Sequence, residues 1–481
     1  MRRQLGVAAA VVALLAGYVT LDVHDVVPGL LTEAAPRSAA AGMPGGRPTP
    51  SPSPIPSVAV PVAPASAAGP LPEVDSLAPA PTAQGLLAAV NGRLHDPRLG
   101  RQVSVTIRDG LTGGHLLDLA PEVPRAPAST AKLLTAAAIA RAADLSQRMT
   151  TKVVQGAGPA DLVLVAGGDM LLGPGNGNPD AVAGRAGLLD LARQVATAVH
   201  EQGLSSVRLG LDDTWARGPA YAPGWLGPDI DLGLTGAVAT LGLSSQRATS
   251  GHPAPADPAV SAATALAGRL RALGLTVAPA VTRTTARAGA AVLGQVESAT
   301  LGELLSLALA DSDNALTESL ARQVAVRTGH RPDFPTVAAW VLASLRARGI
   351  SVAGVRLVDS SGLSRGTTVP AGVIGDVLTL ASRGKDPGLE AVVAALPVAG
   401  LTGTLHDRFH TPATRVAAGI ARAKTGTLTG VSSLAGTVVD RDGRLLTFVV
   451  LADAVPPGGG TLNARAALDA FVATLATCGC R

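Results

Sequence analysis

The chain has 481 residues, with 39 Lys and Arg against 35 Asp and Glu and a formal charge of +4. That length suits two or more domains with sizeable cores. The charge is small, no Lys/Arg run stands out and aromatic residues make up 2% of the chain, so the composition argues against a nucleic-acid-binding protein.

The amino end reads first. Arg2 and Arg3 precede an apolar run from Leu5 to about Val19 or Leu21. Residues 1–24 are therefore expected to act as a cleaved export signal or a retained membrane anchor. In either case the arginines stay inside and the remaining chain lies outside the cytoplasm. Residues 36–81 are rich in Pro, Ala and Ser. Such a stretch buries no core and favours extended geometry, so it reads as a tether reaching up to about 140 Å.

The body starts near Thr82. Leu86, Leu87, Val90 and Leu94 suit a short helix, and the alternation of Val103, Val105 and Ile107 suits a strand. A Gly-rich turn through Gly110, Gly113 and Gly114 leads to a second strand over 115–119. Next comes Pro127-Ala128-Ser129-Thr130-Ala131-Lys132, opening an apolar helix to about Ala143. On a helix, Ser129 and Lys132 share one face, which sets a nucleophile beside an amine able to take its proton.

A long αβ middle region follows. Strands are expected over 161–166, 206–211 and 275–281, helices over 187–203 and 258–273, and a loop over 216–228 with Trp215, Tyr221 and Trp225 at its edge and within it. It carries none of the later motifs and reads as an insertion over 153–294.

Leu301–Ala310 is an apolar helix that ends at Asp311-Ser312-Asp313-Asn314, and a second helix runs on through Leu316, Leu320 and Val324. Ser, Asp and Asn are all good N-caps, so this triplet has a structural reading as well as a chemical one. A helix is expected over 334–349. A strand over 355–358 then leads into the turn-rich stretch Asp359-Ser360-Ser361-Gly362-Leu363-Ser364. Helices are expected over 370–382 and 389–396, with a loop from Leu396 through Gly403-Thr404-Leu405. Lys424-Thr425-Gly426-Thr427 lies on the first of three strands (423–428, 431–439 and 445–452), covered by a helix over 462–475. Both cysteines, Cys478 and Cys480, lie in the last four residues. A local bridge or a weak metal pair is conceivable from that spacing, but a dispensable tail is the expectation.

The basic residues include only four lysines, Lys132, Lys152, Lys385 and Lys424. Arginine does not lose its proton at working pH, whereas lysine can. A lysine in this chain therefore points to chemistry that arginine cannot do, although Lys152 and Lys385 read as residues of a solvated face. The eight histidines show no ligand spacing beyond His406 and His410, which are expected to face solvent. No metal and no other cofactor is expected.

Each motif alone is weak, but their order is specific. Ser129-x-x-Lys132, then Ser312-x-Asn314, then Lys424-Thr425-Gly426 resembles the penicillin-recognising serine acyltransferases. Within them the chain is most similar to the D-alanyl-D-alanine carboxypeptidase/endopeptidase family, the class C low-molecular-mass penicillin-binding proteins. Ala166-Gly167-Gly168-Asp169, the 359–364 stretch, Leu396–Gly400 with Gly403–Leu405, and the long interval between the first two motifs carry the same resemblance. That interval is shorter than the family leads one to expect, so one of its two nested insert domains is expected to be reduced or missing.

The resemblance implies an α/β (α+β) fold: a serine β-lactamase/transpeptidase-like catalytic domain with an antiparallel sheet flanked by helices, plus a smaller inserted αβ domain. The catalytic domain is expected over 82–152 and 295–477, leaving 478–481 as the tail. It implies a serine-type D-Ala-D-Ala carboxypeptidase or endopeptidase acting on peptidoglycan stem peptides, with β-lactams as covalent inhibitors. Ser129 would be the nucleophile, Lys132 the general base, Ser312 a proton relay and Asn314 a hydrogen-bonding partner of Lys132 and substrate. Lys424, Thr425, Gly426 and Thr427 would flank the substrate's carboxylate, and the backbone N–H groups of Ser129 and Thr427 would form the oxyanion hole. The positive end of the serine helix and the like charge of Lys424 are the expected causes of a neutral Lys132.

Rival readings share the motifs. A class A-type β-lactamase needs a deacylating glutamate, and Glu318 and Glu390 fall in the right interval without the expected E-x-x-x-N context. An esterase on the same fold and an inactive wall-binding module are lesser alternatives.

Overall fold

The structure is a computed structural model that describes residues 74–384, 386–457 and 460–481. The expected leader, most of the tether and Lys385 lie outside the described residues.

In chain order, helix α1 (Ala83–Leu94) precedes strands β1 (Val103–Asp109) and β2 (His115–Leu119). A 3-10 turn over Ala128–Ala131 runs into α2 (Lys132–Ala142). The middle region follows with β3 (Arg148–Gln155), β4 (Asp161–Val165), α3 (Leu188–Glu201), β5 (Ser206–Asp212), α4 (Pro258–Ala272) and β6 (Val292–Thr300). Next come α5 (Leu301–Ala310), α6 (Asn314–Arg327), α7 (Phe334–Arg346), α8 (Ala371–Ser382) and α9 (Pro387–Ala394). Strands β7 (Arg422–Leu428), β8 (Val431–Val439), β9 (Leu445–Ala452) and helix α10 (Gly460–Ala476) complete the body.

Strands from both ends of the chain form one five-stranded sheet in the order β7-β8-β9-β1-β2. The pairs that join it are antiparallel. Its period-two alternation divides two cores. Leu446, Phe448 and Val450 of β9, with Val105 and Ile107 of β1, pack beneath α1 and α10. Val449 and Leu451 face the other way, against a helical layer that contains α2 and α5–α9. The serine-bearing turn and the second motif are built on that layer, and the third motif on the edge strand β7.

The middle region holds a second, six-stranded sheet that includes β3 to β6 and packs against α3 and α4. It runs from Arg148 to Thr300, so the limits expected for an insertion, 153–294, cut through β3 and β6. Neither strand announces itself in sequence: β3 mixes Arg, Thr and Lys with its apolar residues, and β6 carries Gly294, Gln295 and Glu297. Conversely, the strand expected over 275–281 shrinks to Thr276–Val277, with Pro279, which cannot donate to a ladder, two residues on; the next short strand, Thr282–Arg283, starts beyond the expected span. The strand expected over 355–358 reduces to one bridge, Arg356 with Thr368.

β6 feeds directly into α5. Thr300 and Glu303 form a reciprocal capping box, and Arg185 grips Glu303 with two bonds of 2.8 and 2.7 Å. At its other end α5 closes with two backbone bonds, Asp313 N–H to Ala308 C=O at 3.0 Å and Ser312 N–H to Leu309 C=O at 3.4 Å. This is the Schellman pattern, whose turning residue is usually glycine. Here it is Ser312, at φ +57°. A side chain in that region costs about 1–3 kcal/mol.

The carboxyl tail is not the dispensable piece expected. Cys478 is buried in the core under the sheet and is bonded to Cys480. The Cys480 carbonyl accepts the Thr82 N–H at 2.8 Å, and the Cys478 carbonyl accepts the Arg441 N–H at 3.3 Å. Sequence spacing cannot reveal this, because the tail docks on the start of α1, 398 residues earlier in the chain. Lys152, expected on a solvated face, is half-buried on β3, while His406 and His410 are exposed as expected.

The turn at Ser312 generates a stability prediction. Ser312→Gly should exceed Ser312→Ala in unfolding free energy by about 1 kcal/mol, because only glycine is unstrained there. Urea unfolding of the two variants checks it, and equal stabilities would contradict the strain.

Candidate active site

Ser129 stands in the 3-10 turn before α2, not within the helix as expected, while Lys132 is the first residue of α2. The spacing of i and i+3 survives this shift. Lys132 is fully buried, and its Nζ donates to Ser129 Oγ at 2.9 Å, Asn314 Oδ1 at 2.5 Å and the Ser361 carbonyl at 2.9 Å. Three acceptors therefore meet the three donors of one ammonium.

Each acceptor is itself positioned. Asn314 opens α6, and its Nδ2 donates to the Leu234 carbonyl at 3.0 Å. Asp313 is the N-cap of that helix, accepting the Leu316 N–H at 2.9 Å. Within the triplet, Asp313 is the cap and Asn314 is the residue that meets Lys132. The loop at Ser360 and Ser361 is gripped from two helices. The Ser360 carbonyl accepts Thr135 Oγ1 of α2 at 2.6 Å, while Glu318 Oε1 of α6 accepts the Ser360 and Ser361 N–H groups at 2.8 and 2.7 Å. Asp359 accepts from Gly362 N–H, Ser364 N–H and Trp225 Nε1 at 2.7, 2.7 and 2.8 Å, which ties the loop to the middle region.

Across the cleft, β7 carries the third motif. Lys424 is fully buried, and its Nζ donates to the Thr425 carbonyl at 3.1 Å. Thr425 Oγ1 donates to Thr404 Oγ1 at 2.9 Å. A Cβ on Gly426 would lie 2.6 Å from the Pro127 carbonyl and 3.1 Å from the Ser129 nitrogen. Only glycine lets β7 come this close to the serine turn. Ser433 of β8 secures the contact by donating to the Pro127 carbonyl at 2.6 Å.

Burial pushes the Lys132 amine down to about 8, against the opposing pull of Asp359, Glu318 and Asp313. The expected causes, the helix end and Lys424, are therefore not the leading ones. Glu318 is itself pushed up to about 8 by burial and by the neighbouring Asp359.

A cleft of about 420 Å³ joins these groups, lined by Ser129, Ser312, Asn314, Thr425 and Thr427 together with Leu234, Thr235 and Arg247 of the middle region and Thr404, Asp407 and Arg465. Ser129, Lys132, Ser312, Asn314, Lys424, Thr425, Gly426 and Thr427 are thus brought to one place. Sequence reading missed the contribution of the middle region and the supporting roles of Glu318 and Asp359. Glu318 had a signal, one helical turn beyond Asn314; Leu234 and Arg247 had none. Neither Glu318 nor Glu390 lines the cleft.

The model of the D-Ala-D-Ala carboxypeptidase 3 (S13) family matches residues 86–251 and 234–475. Carboxypeptidase DacB of Mycolicibacterium smegmatis is 38% identical over 431 residues, 88% of this chain and 91% of that protein. A carboxypeptidase of Mycobacterium tuberculosis is 37% identical over 422 residues, 86% of this chain and 88% of that one. In fold the chain is similar to penicillin binding protein 4 (dacB) from Haemophilus influenzae, at a TM-score of 0.65 and 20% identity, covering 81% of this chain and 98% of that chain. The five-stranded sheet between two cores, the three motifs gathered in one cleft and these likenesses have one conclusion: the chain belongs to the D-Ala-D-Ala carboxypeptidase 3 (S13) family of serine peptidases.

Proposed function

We propose that this protein removes the terminal D-alanine from peptidoglycan stem peptides through an acyl-enzyme on Ser129, with Lys132 as the base. The observation that carries this reading is the buried Lys132 amine 2.9 Å from Ser129 Oγ. With a pKa of about 8, roughly a tenth of Lys132 is neutral at pH 7, against about 0.03% for an unperturbed lysine. The difference is on the order of a few hundred-fold in available base. In the neutral form the Ser129 hydroxyl donates to Nζ, which readies Oγ for attack.

Oγ adds to the carbonyl carbon of the penultimate residue as Nζ takes its proton. The oxyanion would be met by the Ser129 and Thr427 backbone N–H groups, at about 3–4 kcal/mol of transition-state stabilisation per donor. The proton then passes to the leaving amine, with Ser312 as relay, and free D-alanine departs. Water hydrolyses the remaining ester. Lys424, Thr425 and Thr427 would receive the substrate's terminal carboxylate. β-Lactams would acylate Ser129 in place of the peptide; the Haemophilus protein has been solved with a β-lactam. The β-lactamase reading is disfavoured because neither candidate glutamate lines the cleft to direct a deacylating water.

The arginines and apolar run at the amino end support export, with the body tethered outside the membrane. Fractionation of the full chain against a form lacking residues 1–24 tests this, and unchanged partitioning would oppose it.

Three outcomes follow from the site. Product masses from a D-Ala-D-Ala pentapeptide and from cross-linked muropeptide should show loss of D-alanine or of the cross-link with the wild type and none with Ser129→Ala. Lys132→Arg, which keeps the charge but not the base, should lower acylation about 10²–10⁴-fold. Full activity in that variant would remove Lys132 from its role, and rapid penicillin turnover by the wild type would favour the lactamase reading. The pH profile has a definite sign. The active form of Lys132 is unprotonated, so acylation should fall as pH drops through about 8 and level off above it. A profile flat from pH 6 to 9 would contradict it.

A further inference from the structure

The middle region reaches the second motif through one cation. Arg247 lies between β5 and α4, and its Nε and Nη2 donate to Asp313 Oδ2 at 3.1 and 2.8 Å. Nη2 also donates to Asp311 Oδ2 at 3.0 Å. These two carboxylates flank Ser312, the residue held at φ +57°. Arg247 lines the same cleft as Ser129 and Ser312, with its side chain 23% exposed. A second contact from this segment acts on the same turn, since the Leu234 carbonyl accepts Asn314 Nδ2.

Two carboxylates on either side of one strained residue repel each other. A cation between them offsets that repulsion, and a planar fork does so while fixing direction, which an ammonium does not. Asp313 is held twice, by Arg247 and through its capping bond to Leu316, so the fork sets where α6 begins and hence where Asn314 stands.

We propose that Arg247 is a positioning residue for acyl transfer: supplied by the middle region, its guanidinium locks the Asp311–Asp313 turn so that Ser312 and Asn314 face Ser129 and Lys132. This rests on the roles assigned above to Ser129, Lys132, Ser312 and Asn314. On this account the middle region is part of the catalytic apparatus as well as a neighbour to it.

The lock has an electrostatic consequence. Lys132 faces Asp359 beside its loop, Glu318 on α6 and Asp313 at the head of α6, and all three favour its proton. Arg247 neutralises Asp313. Removing it leaves that carboxylate uncompensated, so Lys132 keeps its proton to higher pH. A purely structural role for Arg247 would lower the rate equally at every pH and leave the limb in place.

The test uses the full chain and three variants: Arg247→Ala, Arg247→Lys and Ser129→Ala. Fluorescent penicillin labelling, and kcat and KM on a D-Ala-D-Ala pentapeptide, are measured from pH 6 to 10. Arg247→Ala is expected to lose about 10²-fold in kcat through misplacement of the turn. Its KM should stay close to wild type, and its acid limb should move up by about 0.5 pH unit or more. Arg247→Lys keeps the charge and loses the fork, so its limb should stay in place while kcat falls about tenfold. An Arg247→Ala protein with wild-type kcat, or with lowered kcat and an unmoved limb, overturns the inference. Should that variant not fold, wild-type kcat in Arg247→Lys overturns it equally. If the wild type is labelled no better than Ser129→Ala, the site assignment itself fails and this inference falls with it.

Discussion

One buried amine sets the terms for the surrounding structure. Lys132 has no access to water, so each of its donors needs a partner from the protein. Those partners come from three separate pieces of chain: Ser129 on its own turn, Asn314 at the head of α6 and Ser361 in a loop. None of the three is placed by local preference alone. Thr135 and Glu318 fix the loop, the Asp313 cap fixes Asn314, and Ser433 fixes the turn that bears Ser129. The helical layer and the sheet are the scaffold that makes these contacts simultaneous.

The same burial decides the electrostatics. Three carboxylates pull Lys132 toward its charged form, yet the amine sits below its ordinary value because removal from water outweighs them. The carboxylates are in turn satisfied locally. Asp359 collects backbone and indole N–H groups, Glu318 collects two amides and is itself held toward its protonated form, and Asp313 shares Arg247 with Asp311. The site therefore combines a poorly solvated amine with a paired and hydrogen-bonded surround. That is the arrangement a general base near neutral pH requires.

The middle region is continuous with this arrangement. β6 leads into α5 without a linker, Arg185 secures the capping box of α5, and Trp225 and Leu234 reach Asp359 and Asn314. Sequence reading separated the region from the site because it carries none of the three catalytic motifs. Its contributions are one main-chain carbonyl, one indole and two arginine forks, and leucine and arginine are common throughout this chain. A main-chain carbonyl such as that of Leu234 leaves no trace in the identity of its residue.

Much of the scaffold was legible. Period-two alternation announced β1, the strands expected over 423–428, 431–439 and 445–452 match β7–β9, helical runs announced α2, α3, α5 and α6, and the ordered triad of motifs placed Ser129, Lys132, Ser312, Asn314 and Lys424 in one family. β3, β6 and the docked Cys478–Cys480 tail were not legible, because weak alternation and contacts between opposite ends of a chain carry no local signature. The sequence by itself determined which residues could react, since a serine and a lysine one turn apart are a statement about side-chain chemistry. Only the tertiary structure decided that this amine lies below its ordinary value. Its pKa depends on exclusion of water and on the balance of Asp359, Glu318 and Asp313 around it, and those are properties of packing among segments far apart in the chain.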